Sequence, residues 1–179
     1  MNYQDILDFW FNPETQPLWF AKSDDFDGLI NQKFRDIHQQ AAQAELWSWR
    51  KTAEGRLAEI IVLDQFSRNL FRDQAQAFAQ DALALTLVQE AISLDLDEQL
   101  SPEQRAFLYM PFMHSESKFI HEFALKLFQR LGNPMNLDYE KMHKAIIDRF
   151  GRYPHRNQIL ARTSTAEELE FLTQPNSSF

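Results

Sequence analysis

The sequence predicts an all-α fold of about eight or nine helices, arranged as stacked antiparallel hairpins. Three observations carry this. Apolar residues recur at spacings of three and four along almost the whole chain, the period of helices with one buried face. Only 4 of 179 residues are glycine, too few to supply the positive-φ turns of a sheet-rich or dinucleotide-binding fold. Cap and stop residues stand where the periodic stretches begin and end. Hydrophobic residues make up 44% of the chain and phenylalanine occurs 16 times, ample for a core at this length.

The elements follow in order. Phe26, Ile30, Phe34, Ile37 and Ala41 mark one amphipathic helix, with Ser23 or Asp24 as its N-cap. Leu57, Ile60, Ile61 and Phe66 mark a second, apolar on nearly every side and therefore central. A third runs from about Ala77 to Leu94. Ser101-Pro102-Glu103 is an N-cap, a first-turn proline and a first-turn acid, opening a helix that Pro111 is expected to end. Ser115 through Leu131 predicts a long helix closed by Gly132, and Asp138 to Phe150 another closed by Gly151. Pro154 suits the first turn of a short helix reaching Leu160 or Ala161. Thr165-Ala-Glu-Glu168 is a capping-box signature before a last helix ending near Leu172. No glycine-rich linker or charge block divides the chain. The expectation is one domain over residues 1–179, with 174–179 as a frayed tail.

Charge and composition narrow the function. Asp plus Glu outnumber Lys plus Arg by 26 to 18, a formal charge of −8. Protonating all five histidines would leave the chain acidic still, which argues against nucleic acid and anionic membranes as partners. There is no cysteine, so disulfides, thiolate chemistry and cysteine-based zinc sites are out. The opening MNYQDILDFWF has no basic region, and Asp5 and Asp8 interrupt its apolar stretch. The longest aliphatic run, Ile60 to Leu63, is far too short to span a bilayer. The expectation is a cytoplasmic protein.

Polar chemistry stands out of place at three points. The turn after Ile60–Leu63 carries Asp64, Gln65, Arg68 and Asn69, with Asp64 and Arg68 spaced for an i,i+4 ion pair. It reads either as an internal salt bridge fixing a helix crossing or as a ligand contact. The second is Arg152, His155, Arg156 and Asn157, gathered at the start of a predicted helix. Cations there oppose the helix dipole unless something negative joins them. Asp64, Glu116 or Asp148 could be that partner, or a bound phosphate or carboxylate held in an arginine fork. The third is His114-Ser115-Glu116, in which Ser115 reads as an N-cap and Glu116 as a first-turn acid. A metal site from His114, Glu116, His143 and His155 would suit imidazole and carboxylate ligands. No HExxH-type spacing supports it, so the expectation is no metal and no cofactor. Serine-hydrolase, P-loop and dinucleotide motifs do not occur. Trp10, Trp19, Trp47 and Trp49 read as core or helix-contact residues rather than as a pocket lining.

The stretch from Phe78 to Leu94 echoes the second helix of a tetratricopeptide repeat, and a similar apolar phase returns about 36 residues later. Longer motifs point the same way. LDQFSRNLFR (63–72), AFAQDALAL (77–85), FLYMPFMHSE (107–116), FGRYPHRNQIL (150–160) and TSTAEELEFL (163–172) together resemble domain-of-unknown-function family 924, an uncharacterised, mainly bacterial family. The resemblance covers most of the chain and implies a tetratricopeptide-like right-handed superhelix. It brings no activity. The sequence departs from its relatives at Ser67, where they often have proline, and at Ala161, where they often have glycine. The positions matching the motifs are Asp64, Gln65, Arg68, Asn69, His114, Glu116, Arg152, His155, Arg156 and Asn157, the same polar anomalies.

Three functional readings follow. A binding module would hold a carboxylate, a phosphate or a peptide end with its arginines and histidines. A metal-independent enzyme would use Glu116 or Asp64 as base and His155 or His114 as acid/base on an anionic substrate. A structural reading makes the same residues an ionic network that fixes the helices. The first is favoured, because clustered cations directly predict an anion. Ligand identity and oligomeric state are not written in the sequence.

Overall fold

The structure, a computed structural model, describes residues 1–178. Among these are nine α-helical segments, short 3₁₀ turns, one π-helical turn and no strand. No helix among the described residues is long and apolar enough to cross a membrane. The chain forms two compact units: Met1–Arg72 with Gln76–Pro111, and Asp73–Ala75 with the segment from Phe112 onward.

The first unit is built on α1 (Tyr3–Trp10), α2 (Asp24–Ala42), α3 (Ala53–Ile61), α4 (Ser67–Leu70) and α5 (Asp81–Ser93), with α6 (Pro102–Met113) entering it as far as Pro111. Helix α1 starts in a capping box, where Asn2 accepts the amides of Gln4 and Asp5, and the Asp5 carboxylate accepts the Asn2 amide. Of the two candidate caps of α2 it is Ser23 that serves, and Asp24 is the first helical residue. The core is aromatic. Trp10, fully buried, packs on Trp19, Phe26, Phe66 and Phe107 with ring centroids 5.5–6.3 Å apart. Each such ring contributes roughly 1.5–3 kcal/mol of burial, and more where edges meet faces. Every residue of helix α3 except Glu54 is buried, the central helix that the apolar run at its end predicts. Gly55 lets it approach the Trp47–Lys51 turn, for a Cβ there would lie 2.0 Å from the Trp49 carbonyl oxygen.

The second unit holds α7 (Lys118–Leu131), α8 (Pro134–Phe150) and α9 (Ala166–Leu172). Helices α7 and α8 pack as a hairpin about a two-residue connection. Gly132 and Gly151 close them at φ 76 and 70, left-handed positions where a side chain would be strained. Thr165 and Glu168 form the expected capping box of α9. The small core here is Ile146, Ile147 and Tyr153, covered by Phe150 and Phe171.

Several expectations need correction. Pro111 does not end its helix. It lies inside α6, where Ala106 to Met113 are all buried, and that burial outweighs one lost backbone hydrogen bond. The long helix starts at Lys118, not Ser115: Ser117 is its N-cap, and the Ser115 hydroxyl accepts the Ser117 amide in the preceding turn. Helix α8 starts four residues before Asp138, at an Asn133–Pro134 cap-and-first-turn pair. The Ala77 end of the third helix is a separate 3₁₀ turn, Ala75–Phe78, and α5 begins at Asp81. Trp47 is no core residue, being 65% exposed. Ser177, in the tail expected to fray, is buried and its hydroxyl donates to the Leu172 carbonyl. Phe179 lies outside the described residues.

Candidate functional site

The ten residues singled out by sequence fall into two clusters, one in each unit. In the first unit, the π-helical turn Val62–Phe66 separates α3 from α4. Its wider turn shifts the phase of the side chains that follow. Asp64 and Gln65 sit on this turn, and both are buried. Arg68 Nη1 reaches Asp64 Oδ1 at 3.2 Å, the i,i+4 pair that the spacing predicts. The guanidinium also forks onto Asp81, at 3.0 and 3.1 Å. Gln65 donates to Asp64 Oδ2 at 2.5 Å. Asn69 donates to Asp27 at 2.8 Å, and Arg72 joins the same carboxylate. Asp27 and Asp81 escaped the sequence reading for a physical reason. Each sits in the first turn of a helix, where an acid needs no other explanation.

The second cluster is built around Tyr153, which is fully buried. Its hydroxyl donates to the Met113 carbonyl at 2.6 Å and lies 3.2 Å from His121 Nε2. Its amide donates to Glu116 Oε1 at 2.7 Å, and its carbonyl accepts from Arg162 at 3.2 Å. The ring is surrounded by three imidazoles, those of His143, His155 and His121, at centroid distances of 5.7, 5.7 and 6.4 Å. The Arg156 guanidinium stands over the ring at 4.7 Å and donates to the His114 carbonyl at 3.1 Å. Cation–π contact and burial together hold Arg156 in place.

Carboxylates frame this cluster. Glu116 binds Arg162 with both oxygens, at 2.6 and 2.9 Å. Arg162 was missed by sequence reasoning because it falls just past the predicted end of the short helix. The turn through Ala161, at φ 52, swings it back so that its amide donates to the Asn157 carbonyl. Asn157, buried, accepts from Arg162 Nε and donates to the Ser164 hydroxyl. Arg152 forks onto Glu168, the capping-box acid of α9, at 2.7 and 2.8 Å, and Glu116, one of the partners that the sequence offers, adds its charge to Arg152 and Arg156. His114 and His155 are half-buried. His114 lies before α7 starts, so it does not share a helical face with His121.

The electrostatics match the geometry. Burial pushes Glu116 up, but the Arg162 guanidinium, the Tyr153 amide and the charge of Arg156 outweigh it and hold the carboxyl below its ordinary range. The fork from Arg152 holds Glu168 down to about 2. Burial, above all, takes His143 down to about 3. The Tyr139 carbonyl opposes that, and His114, His121 and Arg156 add to it. His143 is therefore a neutral ring donating from Nδ1 to Tyr139.

Glu140, His121 and Tyr153 form a hydrogen-bonded chain with the residue types of an acid–base relay, but all three are 0% exposed. No substrate atom reaches them, so the chain reads as part of the frame. Among the described residues, no three His, Asp or Glu side chains are grouped to hold a metal ion.

Comparison with known proteins gives two findings. A family model described as a bacterial protein of unknown function, DUF924, matches residues 6–176. A solved structure of a protein of unknown function from Agrobacterium tumefaciens is similar at 41% sequence identity and a TM-score of 0.89, covering 95% of this chain and 96% of that one. No curated protein matches.

Proposed function

Because the chain belongs to the DUF924 family of bacterial proteins of unknown function, its role has to be sought in its own side chains, and we propose that it is a helical binding module for a small anion, a carboxylate or a phosphate. The ligand is received beside the Tyr153 cluster by half-exposed His114 and His155, with Arg156 supplying positive field. The Arg162–Glu116 and Arg152–Glu168 forks are the frame that holds the receiving turn rigid. One observation carries this reading: imidazoles and a guanidinium from α7, α8 and the 153–156 turn gather on one aromatic ring. Preorganisation lowers the entropic cost of ordering a site when ligand arrives.

The test is a thermal-unfolding series in phosphate, sulfate and acetate, matched to chloride at equal ionic strength. A ligand that binds only the folded state raises the melting temperature with concentration. The rise should grow as the solution is acidified through the range where imidazoles take up protons, and His155→Ala should abolish it. Equal melting in every anion, or an unchanged rise in His155→Ala, overturns the proposal.

A further inference from the structure

The first unit contains an open hollow of about 280 Å³, lined by Arg35, His38, Gln39, Phe71, Gln76 and Gln80 together with two alanines. None of these residues is among the ten polar positions discussed above. The volume suits a small metabolite and not a folded partner.

Arg35 is the first unusual feature. Eight arginines in the chain, at 50, 56, 68, 72, 105, 149, 152 and 162, have a carboxylate partner. Arg35 has none among the described residues; its hydrogen-bond partner is the Asn31 side-chain oxygen at 3.0 Å, reached from Nη1. In a chain of net charge −8, a guanidinium with one nitrogen on a neutral amide and no carboxylate partner, on the wall of a hollow, is suited to an external carboxylate.

His38 is the second. The Ser67 hydroxyl donates to the Leu63 carbonyl at 2.5 Å, which uses its only proton. The His38 Nε2 atom, 2.7 Å from that hydroxyl oxygen, must therefore be the donor. Burial, and then the charge of Arg35, hold this imidazole below its ordinary value, so it is neutral. A neutral ring protonated on Nε2 has a lone pair on Nδ1. The only nitrogen of His38 with which a ligand can engage is an acceptor, and it asks for a donor. The side-chain amides of Gln39, Gln76 and Gln80 each add a donor and an acceptor, and Phe71 packs edge-on to the imidazole at 5.4 Å.

We infer that this hollow is a binding site for a small carboxylate that also carries a hydrogen-bond donor next to it, the chemistry shared by hydroxy acids and amino acids. The carboxylate sits on Arg35 and the donor on His38.

Isothermal titration with four matched probes tests this: lactate, alanine, propionate and lactamide. Lactate has the carboxylate and a hydroxyl donor, and alanine has the carboxylate and an ammonium donor. Propionate lacks the donor and lactamide lacks the charge. Lactate or alanine should bind, and which of the two binds tells the hydroxyl donor from the ammonium. Propionate and lactamide should bind at least about tenfold more weakly, the scale of one lost charge-assisted contact. Arg35→Gln should weaken binding by about tenfold or more, while its melting temperature without ligand matches the wild type, Arg35 being exposed. The same titrations on His155→Ala, which lacks the anion site proposed beside Tyr153, separate the two: lactate or alanine binding that persists there and is lost in Arg35→Gln belongs to this hollow. The inference is overturned if neither lactate nor alanine binds, if propionate binds as well as they do, or if Arg35→Gln binds like the wild type.

Discussion

Glu116 and Arg162 are 46 residues apart in the chain, yet two nitrogens of the guanidinium meet both oxygens of the carboxylate, at 2.6 and 2.9 Å. The same Glu116 Oε1 accepts the Tyr153 amide. One side chain thus ties the start of α7 to the whole turn that carries His155 and Arg156.

Removing it should be costly. Glu116→Ala leaves a guanidinium and a buried amide without their acceptor, and should lower stability by about 2–3 kcal/mol in urea unfolding. Glu116→Gln, which retains one acceptor oxygen, should lose less. The acid limb follows from the same pair and from Arg152–Glu168. Both carboxyls titrate below their ordinary value of 4.5 when folded. Their contribution is present above that value and is lost as pH falls through the folded values. Stability should therefore drop between about pH 5 and pH 2, and Glu168→Gln should flatten that drop.

The Glu140–His121 pair carries a proton of its own. His121 Nε2 lies 2.8 Å from the Ser115 carbonyl, which can only accept, so Nε2 is protonated. A further proton must then bridge His121 Nδ1 and Glu140 Oε1, 2.8 Å apart. The second oxygen of Glu140 is buried with no partner, which a neutral carboxyl tolerates far better than a carboxylate. Burial likewise raises this carboxyl above 4.5, with His121 opposing. Glu140→Gln, whose amide can donate to Nδ1, should fold with near wild-type stability, whereas Glu140→Ala should lose about 3 kcal/mol. A raised folded value means that the contribution of this carboxyl to stability is fully present below pH 4.5 and is lost as pH rises through the folded value. Urea unfolding across pH should show that decline in the wild type and not in Glu140→Gln. Equal losses in the two variants would contradict the bridging proton.

Two positions in the left-handed region should respond oppositely. Ala161 sits at φ 52 and Gly151 at φ 70, and a Cβ on Gly151 meets nothing within 4 Å. Strain alone therefore sets both effects. Ala161→Gly should stabilise by up to about 1 kcal/mol, and Gly151→Ala should destabilise by about 1 kcal/mol, in urea unfolding.

Gly55 differs, because there the obstacle is backbone. A methyl group would stand 2.0 Å from the Trp49 carbonyl oxygen, so Gly55→Ala should cost about 3 kcal/mol by forcing α3 away from that turn. Thermal unfolding would read this as a clearly lowered midpoint.

How much of this was legible in the sequence depends on how far each signal reaches along the chain. Caps act over three or four residues, and Ser23, Gly132, Gly151 and Thr165 all do what their local context predicts. Pro111 was misread because its cost is local while the burial that outweighs it comes from packing. The Asp64–Arg68 pair was legible from its i,i+4 spacing. The partners of Arg152 and Glu116, Glu168 and Arg162, were not, since they lie 16 and 46 residues away and no period links them. The hollow at Arg35 left no trace at all. Its arginine looks like any other on an exposed helix face until the carboxylate partners of eight others have been assigned.

The central claim is that an anion is received by His114 and His155 beside Tyr153. The most direct test is to follow the histidine side-chain nitrogens by NMR while inorganic phosphate is titrated in at constant ionic strength. The account predicts saturable shifts at His114 and His155, with His38 unmoved. A titration that leaves both His114 and His155 unmoved, or moves all five histidines alike without saturating, would contradict it.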